Sequence, residues 1–216
     1  LLTVYGMTLA PGLTWSHRGA DGGDLITAAA TGGVPHPTGY PTYLLLARLF
    51  QLLPIGLLAF RTNLLSALAA ALASLLVYKL VTRDSNNPLA GLVSALAFGL
   101  SPLLWSQAVI TEVYALHAFF VALILYLSTS EKQSDLALGL TFGLALGNHV
   151  TIILLLPVVF KRQLHSSLRE GRSSRRSNPP ILEGIASHKP LAMTGGQNWL
   201  NQVRDYLKLN AFSFFR

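Results

Sequence analysis

In the stretch DGGDLITAAATGGVPHPTGYPTY (residues 21–43), Asp21, Asp24, His36 and Tyr40 sit on a backbone braced by prolines and glycines. Carboxylates and imidazoles are the groups that accept or relay a proton near neutral pH, and constrained loops are where proteins hold them for use. If GGDLITAAA begins a helix, Asp21 and Asp24 lie near its first turn. Free backbone N–H groups and the helix dipole favour negative charge there, so capping alone explains such a pair, Asp24 above all. Capping does not explain why His36 and Tyr40 follow directly on a rigid frame. Farther along, Glu112 opens one apolar run and His149 interrupts another. Ionisable groups in apolar helices are costly and mark functional sites by default. Glu112 reads equally as a helix N-cap, His149 equally as a packed histidine bonded to a neighbouring helix, and His117 as packing.

The elements that must position these groups read as membrane helices. The chain is 51% hydrophobic and 12% charged, without cysteine, whereas soluble domains carry about 25% charged residues. No disulfide or thiolate metal site is available. The net charge of +7 gathers at the ends of apolar runs and in a late tail, which suits membrane topology and argues against nucleic acid. Uncharged intervals long enough to cross, about 17–25 residues, place spans near 62–78, 88–107, 112–128 and 136–160. The expected fold is an all-α polytopic transmembrane helix bundle of about 4–6 membrane segments with interfacial helices. Residues 1–160 form the membrane part, with an external loop over 14–60, and 161–216 form a basic tail. The opening LLTVYGMTLAPGL reads as the end of a hydrophobic helix, and the whole as a fragment.

Small residues recur at Gly91, Ala95 and Gly99, and at Gly139, Gly143 and Gly147, a spacing that lets helix backbones approach closely. Lys79 and Arg83 assign the turn after residue 78 to the cytoplasm, which puts residues 14–60 and the turn before Glu112 on the other side. Asn148 and His149 split the last apolar run into pieces of re-entrant length, keeping the basic tail inside. PTYLLLARLFQLLPIGLLAF (41–60) carries Arg48 and Gln51 on one face, as an interfacial helix with that face toward water would.

The ordered motifs TLAPGLTW…DGGDLITAAATGGVPHPTGYPTYLLLARLF, FRTNLLSALAAALAS, SPLLWSQAVITEVYALHAFF and GLALGNHVTIILLLP resemble the transmembrane protein 260-like family. That family, also described as domain of unknown function 2723, is related to protein O-mannosyltransferases within the GT-C glycosyltransferase superfamily. The resemblance covers roughly residues 1–160. The family's Asp-Ser-Gly-Glu is Asp21-Gly22-Gly23-Asp24 here, and Thr38 replaces the second proline of its His-Pro-Pro-Gly-Tyr-Pro; acid type and rigid turn survive both changes.

The resemblance implies transfer of a sugar, mannose in the first instance, from a polyprenyl- or dolichyl-phosphate carrier to a protein hydroxyl or other acceptor outside the cytoplasm. Asp21 would be the base and Asp24 its assistant. His36, Tyr40, Arg48, Glu112 and His149 would bind substrate, the first three as candidates for the carrier phosphate. A divalent metal at the carboxylates is left open. The membrane would be the endoplasmic reticulum in a eukaryote or the plasma membrane in a bacterium. The rivals are a polytopic transporter, for which no inverted repeat is visible, and an inactive truncated homologue. In the tail, LREGRSSRRSNPP reads as disordered or non-native sequence, and QNWLNQVRDYLKLNAFSFF as an amphipathic helix.

Overall fold

The computed structural model describes residues 1–130 and 134–160; residues 131–133 and the tail, with its expected disorder and helix, lie outside the described residues. The order is α1 (Leu2–Thr8), a 3-10 turn (Ser16–Arg18), α2 (Gly22–Thr31), α3 (Pro41–Gln51), α4 (Leu58–Ser85), α5 (Pro88–Gly99), α6 (Pro102–Ala108), α7 (Tyr114–Ser128), α8 (Asp135–Leu146) and a 3-10 segment from Val150 to Leu155. Among the described residues there is no strand, in keeping with the all-α expectation.

α4 is the spine, packing against α1, α2, α3, α5, α6 and α7. It has 28 residues, longer than its uncharged interval, because Arg61, Lys79 and Arg83 are good helix formers that extend it past the apolar run. It is the one described helix that is long and apolar enough to cross a membrane by itself.

The apolar run 88–107 is not one straight helix: α5 and α6 meet at 65°. Pro102 explains the bend. It lacks an N–H for the preceding turn and holds Ser101 in extended backbone (φ −59°, ψ 138°), and Ser101 Oγ then accepts the Leu104 N–H. α7, α8 and the segment 150–160 are shorter apolar helices, and the break between the last two falls at Gly147–His149, where the interruption was expected.

The first small-residue stripe is a packing face. A Cβ at Gly91 would overlap Thr82 Oγ1 and approach the Tyr78 carbonyl oxygen to 2.9 Å, and one at Gly99 would lie 2.7 Å from Ser74 Oγ. α5 is thus pressed onto the backbone of α4. The second stripe is not equivalent: a Cβ at Gly139 or Gly143 would meet nothing within 4 Å, and in that row only one at Gly147 would be close, 2.5 Å from Thr42 Oγ1.

Polarity runs from inside to outside. Gln51, Thr62, Asn63, Ser66, Ser74, Glu112 and Asn148 are buried, while Leu45 and Leu49 on α3, Leu52 just after it, and Leu136, Leu140 and Leu144 on α8 are exposed. This corrects the expected orientation of α3. Its Gln51 turns inward, Nε2 donating to the Ile26 carbonyl at 3.1 Å and to Thr62 Oγ1 at 3.2 Å, and leucines occupy the open face. Arg61, at the start of α4, locks the loop between α3 and α4 by donating to the Gln51, Ile55 and Gly56 carbonyls.

The unequal stripes give a direct test. Gly91→Ala should destabilise the protein by about 1–3 kcal/mol, the usual cost of overpacking. Gly143→Ala should be neutral or stabilising by up to about 1 kcal/mol, since alanine is the better helix former. Thermal melting of the purified variants distinguishes them, and equal melting points would mean that α5 does not contact α4 as described.

Candidate active site

α2 begins where a buried glycine lets it. Gly22 has Thr111 O only 3.4 Å from where a Cβ would sit, so the helix start lies against the segment 109–113. Asp21 is the N-cap residue: its carbonyl accepts the Leu25 N–H at 2.9 Å, but its side chain makes no capping bond. The carboxylate is left half-exposed.

Asp24 is not a cap either. Its Oδ2 accepts both the backbone N–H and the ring Nδ1 of His36, each at 2.9 Å. An ionised carboxylate only accepts, so Nδ1 carries a proton. The other ring nitrogen, Nε2, lies 3.6 Å from Asp21 Oδ2 and 3.2 Å from Tyr40 Oη. The Pro-Gly frame holds this geometry: Gly39 adopts φ +86° and donates to the His36 carbonyl. Tyr40 takes φ +45°, a left-handed conformation costing of order 1–3 kcal/mol for a non-glycine residue and concentrated at functional sites.

Glu112 arrives from the other direction. It lies in the connection before α7, outside the helices, 2% exposed. The segment carrying it is tied down residue by residue. Val109 O accepts from Ala10 N–H, Thr111 Oγ1 donates to Asn63 Oδ1 at 2.6 Å, Ser66 Oγ donates to Glu112 O and Asn148 Nδ2 to Val113 O. The backbone N–H groups of Asp21 and Val113 point at the Glu112 carboxylate, yet its Oε2 has no partner.

His149 stands on the far side of Tyr40, the rings 6.4 Å apart. Tyr114 and His117 flank it at 6.0 and 5.0 Å, and Thr151 Oγ1 joins the two histidines. His117 is therefore polar-bonded rather than mere packing.

Asp21, Asp24, His36, Tyr40, Glu112 and His149 thus gather at one end of the bundle. Arg48 does not join them. Its Nη1 donates to the Ala29 and Ala30 carbonyls, at the C-terminal end of α2, about 12–14 Å of helix rise from Asp21. It neutralises the dipole of α2, and the expected place at the carrier phosphate is corrected accordingly. Sequence reading missed Asn63, Thr111, Tyr114 and Thr151, whose partners lie far along the chain.

Electrostatics separate the acids. Burial, followed by the Asp21 charge, raises Glu112 from 4.5 to about 7. The His36 backbone N–H, then its ring, lowers Asp24 below the usual carboxylate value. Tyr40 is raised by burial and then by Asp21. Among the described residues no three His, Asp or Glu side chains are placed to hold a metal ion. A cavity of about 360 Å³ is lined by Thr8, Thr14, Ser16, His17, Val109 and neighbours and by none of the three acids; Asp21 and Asp24 are about half-exposed, whereas Glu112 is buried.

Residues 21–167 match the Protein O-mannosyl-transferase TMEM260 N-terminal domain. The chain is 36% identical over 177 residues to the Protein O-mannosyl-transferase TMEM260 of Mus musculus, covering 77% of this chain and 25% of that protein. It is 30% identical over 182 residues to the Dictyostelium discoideum protein of the same name, covering 73% of this chain and 21% of that protein. The chain therefore spans about a quarter or less of the relatives it matches. No solved structure matches.

The raised Glu112 has a stability signature. A carboxyl that holds its proton more tightly when folded favours the fold at low pH. Stability should fall as pH rises from 4.5 through about 7. Asp24, lowered, acts in the opposite sense, its contribution being lost only as pH drops below the ordinary carboxylate range. Melting temperature should thus decline between about pH 5 and pH 8, and Glu112→Gln should abolish the decline. A variant with the wild-type slope would show that Glu112 is not the titrating group.

Proposed function

Because this chain belongs to the Protein O-mannosyl-transferase TMEM260 family, we propose that it forms the acceptor-activating part of a multi-pass membrane glycosyltransferase of the GT-C type. The sugar, mannose, would pass from a polyprenyl- or dolichyl-phosphate carrier to a protein hydroxyl on the non-cytoplasmic side. The observation that carries the proposal is the Asp21–His36–Asp24 arrangement: two carboxylates about one oriented imidazole, with Glu112 behind them.

The leucine faces of α3 and α8 and the buried polar residues between helices support a bilayer solvent, in which polar groups must pair internally. Lys79 and Arg83 stand at the opposite end of α4 from the acids, which supports an external site by the positive-inside rule.

In this reading the acceptor hydroxyl gives its proton to Asp21 as its oxygen bonds to the anomeric carbon. The bond from that carbon to the phosphate oxygen breaks, and the electron pair leaves with the lipid phosphate. Asp21 suits the base role because its side chain is half-exposed and makes no cap bond. Asp24 is engaged by His36 and serves to hold the ring. Glu112, neutral for much of the time near pH 7, leaves negative charge to the two aspartates.

Asp21→Asn in the intact protein should lower turnover by at least about 100-fold, the smaller end of general-base contributions, without loss of membrane insertion. Asp24→Asn keeps an acceptor oxygen for His36 and should cost less. Transfer of radiolabelled mannose from a polyprenyl-phosphate donor measures both, and near-normal transfer by Asp21→Asn would remove Asp21 from the role. Topology is tested separately. A labelling tag near Gly32 should react from outside and one near Asn86 from the cytoplasm; the same side for both would refute the orientation.

A further inference from the structure

Tyr40 divides the acid cluster from a second polar group that the proton transfer leaves unused: His117 on α7, then His149 and Thr151. Its hydrogen bonds have a direction. The Thr151 backbone N–H donates to His149 Nδ1 at 3.3 Å, so that nitrogen is an acceptor and bears no proton. Thr151 Oγ1, 2.7 Å from the same nitrogen, must therefore donate its hydroxyl hydrogen to it. The hydroxyl oxygen is then left to accept from His117 Nε2 at 3.2 Å. The chain runs His117 Nε2–H to Thr151 to His149 Nδ1, which fixes the proton of a neutral His149 on Nε2. That Nε2–H has no hydrogen-bond partner among the described residues, and the rings of Tyr40 and Tyr114 lie 6.4 and 6.0 Å from its ring.

We infer that His149 is the donor to the phosphate of the lipid carrier, with His117 and Thr151 as positioning residues that set its tautomer. The inference rests on the sugar-transfer reading and assigns the half of the site that reading left open. Chemistry divides the two sides of Tyr40. Acceptors for a hydroxyl proton lie on the side of Asp21, and a donor for a developing phosphate charge lies on the side of His149. His36, given over to the two aspartates, does not fill the second role. Tyr40 stands between the two sides, its ring centre 5.3 Å from that of His36 and 6.4 Å from that of His149.

The test is binding of a short-chain prenyl phosphate, its prenol and inorganic phosphate to the intact protein in detergent, by titration calorimetry. The wild type should prefer prenyl phosphate over prenol by about tenfold or more, the scale of one charge-assisted hydrogen bond. His149→Ala should erase that preference, and Asp21→Asn should keep it. Thr151→Val, which cuts the chain without touching the Nε2 donor, should reduce the preference, and Thr151→Ser should restore it, separating positioning from a general loss of fold. A wild type without the preference would sink the donor reading beneath the inference. A preference that survives His149→Ala would overturn the inference alone. Inorganic phosphate binding as tightly as prenyl phosphate would overturn the assignment to a lipid carrier.

Discussion

The hydrogen bond from Thr111 to Asn63, 2.6 Å long and buried, is the constraint on which the site depends. Asn63 sits on α4 and also donates to the Ala10 carbonyl at 2.8 Å. One amide therefore joins the spine, the connection after α6 and the segment leaving α1. Its strength as a constraint comes from its surroundings: a buried amide with a missing partner loses more than the net value of one hydrogen bond. A slip of the 109–113 segment would strip Asn63 Oδ1, Ser66 Oγ and Asn148 Nδ2 of these partners together. The backbone at Glu112 is held because its neighbours cannot be satisfied anywhere else, and Glu112 in turn meets the N–H of Asp21.

The same logic explains a buried acid that contributes nothing obvious to stability. Glu112 is raised to about 7 by burial and by Asp21, and its Oε2 is unpartnered. An apolar side chain would be the better choice for stability alone. An acid retained at such a place, against a second acid and beside an oriented histidine, is characteristic of sites whose groups have environments that push their proton affinities apart. Asp24, pulled down by His36, and Glu112, pushed up by burial, are such a pair.

How much of this was legible follows from where each partner lies. Asp21, Asp24, His36 and Tyr40 are close in sequence, on a frame of prolines and glycines that limits the chain to few conformations, so their meeting could be read directly. Glu112 and His149 stood out because charge-bearing groups are rare in apolar runs. Arg48 was misread because its meaning depends on α2 lying beside α3: the same guanidinium that would suit a phosphate also suits helix-end carbonyls, and no local pattern separates the two. Gln51 turned inward for the same reason. The bend at Ser101–Pro102 was written in the sequence as a proline inside an apolar run, but length alone had favoured one span. Asn63, Thr111 and Thr151 gave no signal, since a single threonine or asparagine acquires a role only through a partner that folding supplies.

The two ends of α4 show why the site belongs to the bundle and not to the loop alone. At one end Asn63 and Ser66 hold the connection into α7; at the other, Arg83 Nη2 donates to Thr129 Oγ1, just past the end of α7, at 2.7 Å. Fastened at both ends, α4 and α7 cannot slide past one another without breaking a polar contact at each. α7 carries His117, and its preceding residue Val113 receives Asn148, so the break that presents His149 is fixed to the same pair. The first-loop acids reach that pair through Glu112, and the histidines reach it through Asn148. The acid cluster and the histidine pair are therefore registered against one another by α4 and α7, while the Pro-Gly turn sets only the local aim of His36 and Tyr40.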